Sequence, residues 1–250
     1  MRIFIIVQAR MTSSRLPGKV LKEVLEKPLL AYQLERLKRT ERPIIVATTT
    51  NQTDDPIIAL CQQMKVQTFR GDEHDVLGRY YEAADRVHAD TIIRITGDCP
   101  LVDSNIIEKI TRYYLEHDNA YVSNTLKRSY PRGMDVEVFS MDLLHQAHLN
   151  AKFPFEREHV TPYIYTHFPT GHVISRTDSS HYRLTVDEEE DFYLIKKILE
   201  DLYPTKPEFT LEDILTLLRE KPELAKINQH IEQKSHATWT QTLVNEPSLL

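Results

Sequence analysis

Ile3-Phe4-Ile5-Ile6-Val7-Gln8-Ala9-Arg10-Met11-Thr12-Ser13-Ser14-Arg15-Leu16-Pro17-Gly18-Lys19 is the stretch on which the fold turns. Residues 3 to 7 are consecutive apolar side chains, most of them β-branched or aromatic. An unbroken run of that kind is the pattern of a strand buried on both faces, as at the centre of a parallel sheet. It ends in a loop that carries three cations (Arg10, Arg15, Lys19), the hydroxyls of Ser13 and Ser14, and a Pro17-Gly18 turn. Ligands of open α/β sheets bind in the crevice outside the carboxyl ends of the strands. Cations and donors gathered there suit a polyphosphate, although a basic surface loop is the blander account of the same residues.

The loop is not a Walker A motif. That motif would need a glycine at position 13 and a hydroxyl residue after Lys19, and the chain has Ser13 and Val20. The dinucleotide fingerprint Gly-x-Gly-x-x-Gly occurs nowhere. Side chains, more than backbone amides, would have to hold the phosphates.

Downstream, strands and helices alternate. A helix runs from Pro28 to about residue 39, with a strand at Pro43–Thr48 and a helix capped by Asp54 or Asp55 near Pro56. A short strand follows at Val66–Phe69, a helix at about 75–88, a strand at Thr91–Ile95 and a helix capped by Ser104. This spacing means βαβ units and a mostly parallel sheet. Right-handed crossovers then bring the loops to one edge, where a single site can draw on several of them.

Gly97-Asp98-Cys99-Pro100-Leu101 follows one of these strands. A carboxylate in that position can bind a hard cation such as Mg2+. It can equally be a turn residue after Gly97. Gly18, Gly71 and Gly97 fall in successive loops of a chain with only six glycines, so backbone there has to turn sharply or approach something closely.

From about residue 120 the pattern changes to a strand at Ala120–Asn124, a basic aromatic loop and the alternating run Asp135–Phe139. In that run Asp135 and Glu137 share one face, either solvated or, with Arg132, facing a polyhydroxylated acid. Residues 155–165 read as helix, which Pro162 kinks or restarts. His145 and His148 sit three apart on a helix and read as surface residues, not a zinc pair. Asp187, after a short strand, reads as the N-cap of an acid-started helix over 188–203, followed by helices at 210–219 and 222 to about 232. The stretch 234–250 offers no assignment.

The bulk numbers set bounds. The net charge of -6 argues against a nucleic-acid partner, and no apolar run approaches the roughly 18 residues of a membrane span. No export signal is legible, so Cys61 and Cys99 are expected as reduced, packed thiols of a cytoplasmic protein.

Gln8-Ala9-Arg10 with Ser13-Ser14-Arg15-Leu16-Pro17-Gly18-Lys19 strongly resembles the nucleotide loop of the sugar-acid cytidylyltransferases, the makers of CMP-activated 3-deoxy-manno-octulosonate and nonulosonic acids. Pro131-Arg132-Gly133-Met134-Asp135-Val136-Glu137-Val138 and Arg157-Glu158-His159-Val160-Thr161-Pro162 look like the spore coat polysaccharide branch. The resemblance covers roughly residues 1–200. It implies a Rossmann-like three-layer α/β/α sandwich of the nucleotide-diphosphosugar transferase type. One domain would span 1–222, with about 125–175 serving dimerisation and sugar binding, and 223–250 a helix and tail.

The resemblance also implies CTP and a sugar acid as substrates, Mg2+ as cofactor and a homodimer. It assigns the nucleotide to Ala9, Arg10, Ser13, Ser14, Arg15, Lys19 and Gly97, and the metal to Asp98 and Asp187. Arg10, Lys19, Asp98 and Asp187 would carry catalysis, and Arg132, Asp135, Glu137, Glu158 and His159 would meet the sugar. Other readings of the same chain are a glycosyltransferase with a nucleotide-sugar donor, a phosphonate cytidylyltransferase, and an idle nucleotide- or sugar-binding subunit. The glycosyltransferase would need a metal-binding Asp-x-Asp, which Asp98-Cys99-Pro100 does not supply.

Overall fold

A computed structural model describes residues 1–232. Its strands are β1 (Ile3–Gln8), β2 (Glu23–Val24), β3 (Lys27–Pro28), β4 (Ile44–Thr49), β5 (Gln67–Gly71), β6 (Thr91–Thr96), β7 (Tyr121–Ser123), β8 (Glu137–Ser140) and β9 (Thr170–His172). The helices are α1 (Leu29–Lys38), α2 (Asp55–Gln63), α3 (Val76–Arg86), α4 (Ser104–Glu116) and α5 (Met141–Asn150). They continue with α6 (Pro154–His159), α7 (Pro162–His167), α8 (Glu189–Leu202), α9 (Leu211–Glu220) and α10 (Pro222–Ala225).

One sheet organises the molecule, in the order β5-β4-β1-β6-β8-β7-β9, with β2 and β3 forming a separate small ribbon. β1 lies between β4 and β6, parallel to both, as its unbroken apolar run requires. Within this sheet only the pairings of β8, with β6 and with β7, are antiparallel.

The alternation along β1 divides the core. Ile5 and Val7 pack with α1, α2, α4, α8 and α9 on one face, and Ile6 packs with α3, α5 and α7 on the other. The result is the expected three-layer α/β/α sandwich. No helix of the described residues is long and apolar enough to cross a membrane.

Several boundaries differ from the sequence expectation, each for a local reason. Asp54 precedes α2 but does not cap it. Its side chain turns inward to Thr48, Thr49 and Met11. Asp103, not Ser104, caps α4 by accepting from the Asn105 amide at 2.8 Å. Glu188, not Asp187, is the N-cap residue of α8, and Asp191 accepts the amides of both Asp187 and Glu188. That leaves the Asp187 carboxylate available for the site. The strand expected at 135–139 begins at Glu137, and the last expected helix shortens to Pro222–Ala225. Pro162 restarts the chain as α7, as one of its two readings required. Cys61 and Cys99 are buried free thiols, and Tyr81 stacks on His148 with His145 beside it. The stretch 234–250 lies outside the described residues.

Candidate active site

A cavity of about 270 Å³ opens at the carboxyl ends of β1 and β6. It gathers Ala9, Arg10, Ser13, Ser14, Arg15 and Lys19 from the first loop, Gly97 and Asp98 from the β6 loop, Glu158 and His159 from α6, and Asp187 from the approach to α8. These segments are far apart in sequence, and the sheet brings them together.

The first loop is held by backbone and by one buried acid. Gly18, at φ 71°, closes a turn by donating its amide to the Met11 carbonyl, a conformation that favours glycine. Asp54, fully buried, accepts from the Met11 amide at 2.8 Å through Oδ1. Its Oδ2 takes both Thr hydroxyls, 48 and 49, and the Thr49 amide. Burial pushes the Asp54 carboxyl up, but these hydrogen bonds outweigh it and hold the group below the usual carboxylate range. In Asp54→Asn the side-chain oxygen keeps the three-donor position and the new NH2 faces the Met11 amide. We expect a loss of about 2 kcal/mol in urea unfolding and faster hydrogen exchange at Met11.

On the β6 side, Gly97 donates its amide to the Gln8 carbonyl at 2.8 Å. A side chain there would place Cβ 2.7 Å from that same oxygen, so only glycine lets the two loops close on one another.

Charge is concentrated at Lys19. Its ammonium, nearly buried, lies 3.0 Å from Asp98 Oδ2 and 2.9 Å from Asp187 Oδ1. Arg15 reaches the same Asp187 oxygen at 2.9 Å and Glu188 at 3.2 Å. Arg183 donates to the other Asp187 oxygen and to Asp191, which fixes the carboxylate from behind. Burial lowers the Lys19 value, but Asp98 and Asp187 overcome it and raise it above the ordinary lysine range. Burial likewise raises Asp98, while Lys19 and the Thr96 hydroxyl bring it down to about 2.

The signs give a pH prediction. Asp98, depressed from 3.8, contributes stability that is complete above its unfolded value and disappears as pH falls through about 2. Asp98→Asn should therefore flatten the acid limb of the urea midpoint between those two values. Lys19, being raised, contributes below 10.5 and loses its contribution as pH rises through its folded value.

Two carboxylate oxygens converging on one small cation are hard donors suited to Mg2+. Among the described residues no cluster of three or more His, Cys, Asp or Glu side chains could hold a metal alone. A divalent ion here would fill its coordination with phosphate oxygens and water, the usual arrangement for Mg2+.

Arg10, at the cavity wall, also pairs with Glu73 at 3.6 Å, and Glu73 accepts from Asn51 and Thr12 as well. On the α6 side, Val160 has φ 71° and ψ -56°. The Thr161 amide donates to the His159 carbonyl at 2.8 Å across it. This is a γ-turn of the rare, strained hand, in a β-branched residue. Such strain persists where the surroundings over-determine it, and here it brings Glu158 and His159 to the cavity wall.

Three residues expected at the sugar do not line this cavity. Glu137 is buried beneath it, ion-paired with Arg94 and accepting from Tyr121 and Thr161 at 2.6 Å each. Asp135 lies ahead of β8 and pairs with Arg128, so it does not share a strand face with Glu137. Arg132 forms a backbone bridge with Arg183. The antiparallel register that sets Arg94 opposite Glu137 is the cause, since it turns that face of β8 into the interior. The cavity also uses Gln8, which the first motif contains without a role assigned to it, and Arg94 and Thr96, which no motif marked. One signal was available: Arg94 is a charge inside an apolar strand, and such a charge needs a buried partner.

Fold and site together are those of a nucleotidyltransferase-type α/β protein: a cationic loop after the first strand faces one carboxylate from the end of β6 and one from the approach to α8. The chain belongs to the cytidylyltransferase family, whose profile matches residues 4–241. Comparison with known proteins finds the spore coat polysaccharide biosynthesis protein SpsF of Bacillus subtilis, 32% identical over 238 residues, 89% of this chain and 96% of that one. A 3-deoxy-manno-octulosonate cytidylyltransferase of Francisella philomiragia is 28% identical over 130 residues, 50% of this chain and 51% of that one. Among solved structures, a cytidylyltransferase from Leptospira borgpetersenii superimposes with a TM-score of 0.87 at 32% identity, covering 94% of this chain and all of that one.

Proposed function

We propose that the protein transfers CMP from CTP to a hydroxyl of a sugar acid, a nonulosonic or related 2-keto acid, and releases pyrophosphate. The acceptor oxygen forms a bond to the α-phosphorus in line, the α–β phosphoanhydride breaks, and the hydroxyl proton leaves to the medium. Such transfer asks for positioning and charge neutralisation more than covalent help. Arg10, Arg15 and Lys19, with Ser13 and Ser14, hold the triphosphate, and Arg15 and Lys19 compensate the charge growing on the departing pyrophosphate. Gly97 and Ala9 leave room for the nucleotide against the backbone. Asp98 and Asp187 would hold Mg2+, which when bound would supply charge neutralisation at the α-phosphate and a lowered pKa for the attacking hydroxyl. Glu158 and His159 face the acceptor.

The observation that carries this reading is Lys19 bridging Asp98 and Asp187 with Arg15 beside them. The similarity to SpsF and to an octulosonate cytidylyltransferase supports a sugar acid as acceptor and a role in surface or spore coat polysaccharide synthesis. A homodimer in the cytoplasm completes the proposal.

A thermal-shift series with CTP, UTP, ATP, GTP and a UDP-sugar, each with and without Mg2+, tests it. Ligand at 100 times its dissociation constant stabilises by about 2.7 kcal/mol, a readily visible shift. We expect the largest Mg2+-dependent shift with CTP. A shift with the UDP-sugar but not CTP would instead indicate a glycosyltransferase, and no shift at all an idle subunit.

A further inference from the structure

We infer that Gln8 and Arg94 form the receptor for the acceptor's carboxylate and an adjacent hydroxyl. The inference rests on the cytidylyl-transfer reading above. The β1–β6 register sets Ile6 beside Arg94 and Gln8 beside Thr96. Gln8 and Arg94 therefore leave the sheet on one face, diagonal to each other, on the side where Ile6 and Ile92 pack. Both line the cavity.

Each carries an unmet need. Arg94 Nε, a donor, and Gln8 Oε1, an acceptor, are buried without a hydrogen-bond partner among the described residues. Buried polar groups are ordinarily paired, so an orphan of each kind at the floor of an open cavity marks a ligand position. The ligand must offer an acceptor to Arg94 and a donor to Gln8. A carboxylate with a neighbouring hydroxyl offers both, and a phosphate dianion has no donor for Gln8.

Arg94 is also built for rigid recognition. Its guanidinium sits 5.6 Å from the Tyr80 ring centroid, and one of its NH groups is taken by Glu137. Glu137 shares its charge with the Tyr121 and Thr161 hydroxyls. The fixed fork thus keeps donors for a second anion, in the planar geometry that carboxylates favour. Its place, on the strand next to β8 and near Glu158 and His159, is the acceptor's side of the cavity. Arg10 and Glu73 lie across β1.

The test uses the full-length protein with CTP and Mg2+. The acceptors are 3-deoxy-manno-octulosonate, N-acetylneuraminate and the C1 alcohols made by reducing their carboxylates. The variants are Gln8→Leu, which keeps volume, and Arg94→Lys, which keeps a cation beside Glu137. For the wild type we expect kcat/KM for an acid about 100-fold or more above that for its alcohol, the size of one lost charged contact. Each variant should lower kcat/KM for the acid by about 10- to 100-fold and shrink the acid-to-alcohol ratio, with the CTP dissociation constant by calorimetry within about 2-fold of wild type. Equal use of acid and alcohol by the wild type overturns the inference. So do variants that weaken CTP as much as the acid, which would make the pair a nucleobase contact. A wild type that binds CTP but uses none of the acids also overturns it and leaves the nucleotide reading standing. Absence of CTP binding sinks the reading on which it rests.

Discussion

Asp98→Asn removes turnover, by on the order of 10²–10³-fold or more in kcat, while the protein still folds. Asp98 lies where the β6 loop meets Lys19, and asparagine matches its shape without its charge. The stability cost is limited. A folded-state value of about 2 against 3.8 unfolded corresponds to roughly 2–3 kcal/mol at neutral pH. For a chain of this size that lowers the melting temperature by roughly 4–12 °C. Calorimetric scans and pyrophosphate release measured on one preparation separate the two effects. Near-normal turnover would remove Asp98 from the chemistry altogether.

Lys19→Met carries the largest expected stability effect. The Lys19 ammonium occupies the position between Asp98 and Asp187 that a divalent cation would take. Removing it leaves a nearly buried and a part-buried carboxylate face to face, with Asp187 still held by Arg15 and Arg183. Breaking a buried pair by deleting one partner costs about 3–5 kcal/mol. Because the site then lacks its own cation, the variant should bind Mg2+ or Mn2+ without nucleotide more tightly than the wild type, and millimolar Mg2+ should restore part of the lost stability. Manganese titration followed by electron paramagnetic resonance reads the first effect and thermal melts with and without Mg2+ the second. Equal metal affinity in variant and wild type would show that the two carboxylates do not act as one cation site.

How far the sequence carried depends on which forces are local. The apolar run of β1, the Gly97-Asp98 turn and the acid-rich start of α8 are short-range patterns, and each marks a loop that the sheet brings to the cavity. Lys19, Asp98 and Asp187 lie within 3.0 Å of one another's charged atoms through the Lys19 ammonium. What stayed hidden depends on strand order. β8 enters between β6 and β7, antiparallel to both, so Glu137 faces Arg94 instead of a ligand. An alternating run such as Asp135–Phe139 says that two faces differ, and not which is covered. Asp187 was legible as a residue near a helix start, but its freedom from capping depends on Asp191 taking the two amides. Gln8 opens the first motif without a role of its own, and Arg94 carries no motif. The register that sets them diagonal to each other on one face, and their buried atoms without partners among the described residues, make them visible.

The central claim is tested most directly by the products of one reaction. The protein is incubated with CTP, Mg2+ and a mixture of 2-keto sugar acids, and the products are read by phosphorus NMR and mass spectrometry. Cytidylyl transfer predicts one pyrophosphate for each CMP-linked sugar acid, with the α-phosphorus retained in the conjugate as a phosphodiester. Orthophosphate or CDP as the product, or consumption of a nucleotide sugar with release of its nucleoside diphosphate while CTP stays untouched, would contradict it.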